Sequence, residues 1–334
     1  MQELISALRS SPRLTQKGKL KNLWRLIPQV SQVDGNDVIL GDDAAAIKTR
    51  DGYLLLAGEG VYPPLLKSNP YLAGRTSVLT NVNDIYAMGG RPLAIVDVLF
   101  GSDFEEVNEV LRGISENASR YNVPVVGGHL TQEIGISSLS VFILGRAEKL
   151  LSGFNAEVDD DLVFVSNFKG KFYSGSNFWD SSSNLSGEEA IKQLELLPQS
   201  AEDGLADAAK DVSMAGLIGS ILMLVEGSGK GAEIYVDKIP APFEVPLKEW
   251  FLTFPSYGFI LSLRPHSLPK VQERFKKLGL ICEQIGKVTS GNQVFFDSDT
   301  GDRNLFWDLS VEPLIGYKEV KQSNRLATKS PRHK

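Results

Sequence analysis

The run Ile39-Leu40-Gly41-Asp42-Asp43-Ala44-Ala45-Ala46 ends a short apolar stretch in two adjacent carboxylates set among small residues. Neighbouring acids repel, and each raises the pKa of the other. A fold that puts such a pair at a strand end must leave it in solvent or bring it something cationic. The first outcome is an exposed turn, where Gly-Asp pairs are common. The second is a hard divalent cation such as Mg²⁺, which accepts oxygen ligands and keeps part of its water shell for substrate phosphates.

The 334 residues leave room for two domains and a sizeable core. Apolar residues at 42% and charged residues at 23% fit a soluble globular chain. The net charge of −6 argues against a nucleic-acid partner, which demands a basic surface. The single cysteine, Cys282, excludes a disulfide framework and a cysteine cluster for zinc. With Leu280, Ile281 and Ile285 around it, it reads as a small buried hydrophobe. No run of about 18 apolar residues exists, so no membrane partner is expected. The N-terminus lacks the basic-then-apolar order of a secretory signal, and the expected location is cytoplasmic.

Residues 1–35 read as a peripheral arm with weak helical patterning and basic Lys17, Lys19 and Lys21. Residues 36–150 read as an N-terminal domain, 155–317 as a C-terminal domain, and 318–334 as a disordered basic tail. In the first domain, strands are expected at 37–40, 53–57, 92–100, 123–126 and 138–144, with helices at 72–88 and 104–121. In the second, strands are expected at 162–166, 232–236, 258–263 and 284–288. Helices are expected there at 188–197, 205–209, 217–226 and 270–278. Gly153–Asp161 is read as a polar link, and the Ser/Asn/Gly-rich stretch 173–187 as a loop with a role or a mobile flap.

Five places carry candidate chemistry. Asp42 and Asp43 are the first. Glu59 ends another apolar strand between Gly58 and Gly60, where glycine lets the backbone come close to a ligand; the alternative is a solvated turn. Asn83 and Asp84 sit on a helix that stops at Gly89-Gly90 and Pro92. Asp is mildly unfavourable within a helix, so a buried one wants a partner. Val125-Val126-Gly127-Gly128-His129-Leu130-Thr131 places two glycines and a hydroxyl after a strand. There a turn can aim backbone N–H groups at phosphate oxygens. Asp211 and Ser213 stand before an apolar helix as caps or as metal and phosphate contacts. Glu226-Gly227-Ser228-Gly229-Lys230-Gly231 mimics a P-loop but lacks the first glycine and the Ser/Thr after the lysine. It also precedes a strand instead of a helix, so it reads as a helix C-terminus with a glycine stop.

In this order the motifs resemble the AIR synthase superfamily, which includes aminoimidazole ribonucleotide synthetase, thiamine-monophosphate kinase, selenophosphate synthetase and a hydrogenase maturation dehydratase. The resemblance spans about residues 36–317 and rests on Gly41–Ala45, Asn83–Gly89, Gly127–Thr131 and Lys210–Gly216. It also extends to the AIR-synthase-related proteins of bacterial nitrilase gene clusters. It implies an α+β, two-domain fold whose N-terminal domain contributes to a β-barrel at a homodimer interface. It implies ATP and Mg²⁺ as cofactors, with Asp42, Asp43, Glu59, Asp84 and Asp211 handling metal. Gly41, Asp84, Gly127, Gly128, His129, Thr131 and Ser213 would lie on the nucleotide side. Lys17 and Lys19 would act catalytically if the arm closes over the site. Glu59 stands where relatives have Asp.

Three departures matter. Thiamine-monophosphate kinases carry Asp-Val-Ser-Asp-Gly-Leu where this chain reads Asp211-Val212-Ser213-Met214-Ala215-Gly216, one acid fewer. Residues 1–36 hold no cysteine of the kind selenophosphate synthetases need, and Pro331-Arg332-His333-Lys334 is not the reactive cysteine terminus of the maturation protein. The resulting expectation is ATP- and Mg²⁺-dependent phosphoryl transfer to, or activation of, an oxygen on a small metabolite, by two or three Mg²⁺ ions. The alternatives are a catalytically silent nucleotide-binding scaffold and a subunit that only dimerises.

Overall fold

The computed structural model describes residues 1–132, 135–173 and 176–317. The expected basic tail, 318–334, lies outside these residues. The N-terminal domain is a five-stranded sheet in the spatial order Ala45–Thr49, Gly52–Gly60, Ser138–Ala147, Arg91–Gly101, Val125–Gln132. Only the last pair is parallel. Alternation sends Tyr53, Leu55, Ile95, Leu99, Val141 and Ile143 inward under two helices, Pro70–Ala87 and Phe104–Arg120. The helices touch because Gly74 and Gly113 have no side chains. A Cβ on Gly74 would meet the Val110 carbonyl at 2.1 Å, and one on Gly113 the Tyr71 carbonyl at 2.1 Å.

The C-terminal domain carries a seven-stranded sheet ordered Ala208–Asp211, Gly258–Leu263, Asp161–Ser166, Ile281–Thr289, Gly231–Tyr235, Gln293–Asp297, Arg303–Asp308. Every residue of Asp161–Ser166 and of Gly258–Leu263 is buried, because this sheet is covered on both faces. One face, with Val163, Val165, Phe259 and Leu261, joins the core of the N-terminal domain. The other, with Leu162, Phe164, Ile260 and Phe296, packs against the apolar helix Gly216–Ser228.

Several expectations need correction. Residues 205–209 are not a helix; Ala208–Asp211 is a strand paired with Gly258–Leu263. Three alanines in 205–209 favour a helix locally, but the long-range pairing prevails. The arm is not peripheral: Ile5, Leu8 and Leu14 enter the second core, and Arg9 pairs with Glu312 at 2.6 Å. Residue 35 is no boundary in the backbone, since Asp34 and Gly35 form the left-handed turn of the hairpin Val30–Val33/Asn36–Ile39. The link at 153–161 is largely packed, with Gly153, Phe154, Asn155 and Ala156 buried. Within 173–187, Phe178 and Trp179 are buried and Phe178–Asp180 is a short strand. The Gly229 helix stop is as read, with φ 64°.

Candidate metal centre at the domain seam

The helix Pro70–Ala87 is buried almost all round, because it packs on its own sheet, on Phe104–Arg120 and on the C-terminal strand Ala208–Asp211. Its last turns therefore lie on the seam between domains. Asn83, read as part of a polar face, is buried there and donates from Nδ2 to the Ser256 carbonyl at 3.2 Å. Asp84, next in sequence, is 5% exposed. The turn after Asn36–Ile39 delivers Asp43, and the strand Ala208–Asp211 ends in Asp211. One carboxylate oxygen from each of Asp43, Asp84 and Asp211 lies within 4.8 Å of the other two.

The electrostatics of this triad are strained. Asp43 is ion-paired with Lys210 and accepts the Asp211 N–H at 3.2 Å. Lys210 Nζ is also 4.0 Å from Asp211 Oδ1. Asp84 Oδ2 is fully buried and has no partner. Burial, then Asp211, Glu59 and Asp43, push the Asp84 carboxyl well above its ordinary range. Burial and Asp43 raise Asp211 to about 8. Burial alone would lower the Lys210 ammonium, but Asp43 and Asp211 reverse this and hold it above its ordinary value. A buried, unpaired carboxylate oxygen beside two more carboxylates is costly alone. It is also a donor set of hard oxygens, so these residues fit a divalent cation of the Mg²⁺ type.

The other expected residues divide. Glu59 ends the strand Gly52–Gly60 and faces the triad: burial raises its carboxyl, Lys17 lowers it and Asp43 raises it. Lys17 feels Lys210, Asp211, Glu59 and Asp43, and its ammonium is lowered chiefly by burial. Its approach is set by the docked arm, in which Arg13 Nη1 donates to the Leu252 carbonyl at 2.6 Å. Lys19 is exposed and shows no contact with the acids.

Asp42 lies outside the triad. Ser152 Oγ donates to its Oδ2 at 2.6 Å, and the Gly153 N–H donates to both its oxygens, at 3.2 and 3.0 Å. Burial and Asp43 raise its carboxyl to about 7. Gly41 has φ 115°, and its carbonyl accepts from the Tyr317 hydroxyl.

The expected phosphate turn at Gly127–Thr131 is not a turn. These residues form the exposed edge strand Val125–Gln132, and His129 Nε2 is 3.1 Å from Thr131 Oγ1. Gly128 makes room for a side chain: a Cβ there would lie 2.8 Å from Asp97 Oδ2. Ser213 does not cap the next helix, whose cap position is Ala215; its N–H donates to Ser220 Oγ at 3.2 Å.

Sequence reasoning gave no role to Lys210, Asp97, Ser152 or Tyr317. Lys210 had a signal, a charged Lys-Asp pair inside an apolar segment. Asp97 had one as well, a lone acid in a β-branched strand.

Comparison with known proteins places both domains in one family. Residues 41–147 match the model for the AIR synthase related protein, N-terminal domain, and residues 164–298 that for its C-terminal domain. An uncharacterised protein of Synechocystis sp. is 45% identical over 285 residues, covering 85% of this chain and 88% of the relative. The phosphoribosylformylglycinamidine synthase subunit PurL of Methanopyrus kandleri is 28% identical over 340 residues, covering 86% of this chain but 45% of that one. This chain thus spans about half the length of the PurL relatives it matches.

Among solved structures, Thermotoga maritima PurL complexed with ADP matches at TM-score 0.74 and 18% identity, covering 93% of this chain and 54% of that one. Aquifex aeolicus ThiL complexed with AMPPCP and TMP matches at TM-score 0.62 and 21% identity, covering 89% of this chain and 98% of that one. Two matched domains and the two-domain α+β architecture lead to one conclusion: the chain belongs to the AIR synthase related proteins.

Proposed function

We propose that this chain is an ATP- and Mg²⁺-dependent enzyme that transfers the γ-phosphoryl group to, or uses it to activate, an oxygen of a small metabolite. The observation that carries this is the triad Asp43, Asp84 and Asp211, drawn from three distant segments and both domains, with Asp84 Oδ2 buried and unpaired. Carboxylates whose burial is not offset by protein donors serve a ligand better than they serve the fold. PurL and ThiL, solved with ATP, ADP or AMPPCP, support a nucleotide as that ligand's companion. When bound, Mg²⁺ would neutralise phosphate charge, the main electrostatic contribution in phosphoryl transfer.

The chain's own residues have distinct parts. Asp43, Asp84 and Asp211 would hold the metal, and Glu59 would extend the acidic rim toward solvent. Lys17, carried in by the arm, would neutralise charge on the group being transferred. Mixing the protein with ATP, Mg²⁺ and a panel of phosphorylated and amidated metabolites tests the proposal. ADP release that depends on one metabolite supports an enzyme; tight ATP binding with no release under any metabolite would leave the silent scaffold.

The outer face of the N-terminal sheet supports a second part of the proposal, a homodimer. Leu56, Val96, Phe142 and Leu144 are all exposed on this face, and Leu56 pairs with Leu144 and Val96 with Phe142 across strands. A sheet face this apolar is a docking surface in a stable protein. Light scattering should give the mass of two chains for the wild type and of one for Phe142→Glu; a monomeric wild type would overturn the dimer.

A further inference from the structure

Lys210 is the only buried lysine among the described residues. On its strand it shares the pleat face of Ala208, whereas Asp211 shares that of Ala209. Ala208 belongs to the core around Gly216–Ser228 and Ala209 to the core of the seam. A short side chain at 210 would stay on the far face. The long lysine stem brings its ammonium back to pair with Asp43 and to stand 4.0 Å from Asp211 Oδ1.

We propose that Lys210 takes the place of one divalent cation, so that the triad holds a single metal ion where three carboxylates alone would hold two. This rests on the triad being a metal site, and it replaces the sequence-based expectation of two or three Mg²⁺ ions there. Three ionised carboxylates carry a charge that one divalent cation does not cancel, and the excess attracts a second. The Lys210 ammonium removes that excess, and Lys17 offsets Glu59 at the rim, leaving a balance that one divalent cation matches. It is a compact point charge with three donors, so it can serve two carboxylates at once. Unlike an ion it is tethered and cannot dissociate. It also leaves the unpaired oxygen of Asp84 as the open position of the site. Lys210 is thus a positioning residue, setting how many cations the triad takes and on which side.

Counting bound Mn²⁺ by electron paramagnetic resonance tests this, on the full chain without nucleotide. The wild type should bind one Mn²⁺ tightly at the triad, Lys210→Gln one more, and Lys210→Arg, which keeps the charge, the same number as the wild type. Equal counts in all three proteins would overturn the role of Lys210 and leave the metal site standing. No binding by any of them would overturn both. Should Lys210→Gln not fold, the wild-type count decides: one ion at the triad supports the proposal and two overturn it.

Discussion

Asp42 and Asp43 are joined by one peptide bond and stand in opposite situations. Asp42 turns toward the segment between domains, where Ser152 and Gly153 donate three hydrogen bonds to it. Asp43 turns toward Asp84 and Asp211, where its partners are one ammonium and one N–H and where a neighbouring oxygen has none. The first carboxylate is paired by the protein and fastens the seam. The second belongs to a group the protein leaves incomplete. Residues that fasten should cost stability when removed, and residues held ready for a ligand should cost affinity instead.

The largest expected effect is at Asp84. Asp84→Asn should weaken Mg²⁺-dependent ATP binding roughly 100-fold, about 2.7 kcal/mol, in a calorimetric titration. It should not lower the melting temperature, because it removes a buried charge that Asp211, Glu59 and Asp43 oppose. A large drop in melting temperature with unchanged affinity would make Asp84 a fastening residue like Asp42.

Asp42→Ala should show the reverse. It leaves the Ser152 hydroxyl and the Gly153 N–H without their acceptor, at a cost of about 1–3 kcal/mol in chemical denaturation. ATP affinity of the folded fraction should change only a few-fold. A 100-fold loss of affinity with intact stability would move Asp42 into the metal site.

The smallest effect is on pH. In the fold, burial and Asp43 push the Asp42 carboxyl up to about 7 and the Asp211 carboxyl up to about 8, from the ordinary 3.8. Between about pH 4 and pH 8 the folded, metal-free protein keeps protons that the unfolded chain has lost, so these groups make stability fall as pH rises. Melting of the metal-free protein should therefore come a few degrees lower at about pH 8 than at about pH 5, and Mg²⁺ should raise it more at the higher pH. A melting temperature that rises over this window would contradict the raised values.

Much of this was legible in the sequence because it is carried by local pattern. Apolar and β-branched runs marked four of the five strands of the N-terminal sheet, missing Ala45–Thr49, and the four motifs marked Asp43, Asp84 and Asp211. What the sequence hid depends on long-range packing. Ala208–Asp211 becomes a strand only because Gly258–Leu263 lies beside it. Gly127 and Gly128 signalled a turn, yet Gly128 makes room for the Asp97 side chain on the neighbouring strand. Asp42 could not be separated from Asp43, since the donors that claim it come 110 and 111 residues later. Lys210 was visible, but its reach to Asp43 depends on the seam between domains.

The most direct test is a calorimetric titration of the wild-type chain with ATP, with and without Mg²⁺. Binding that requires Mg²⁺ is the expected result, since three carboxylates facing one another repel phosphate until a cation stands between them. ATP binding of equal strength without Mg²⁺, or no binding in either case, would contradict the assignment of Asp43, Asp84 and Asp211 as a metal–nucleotide site.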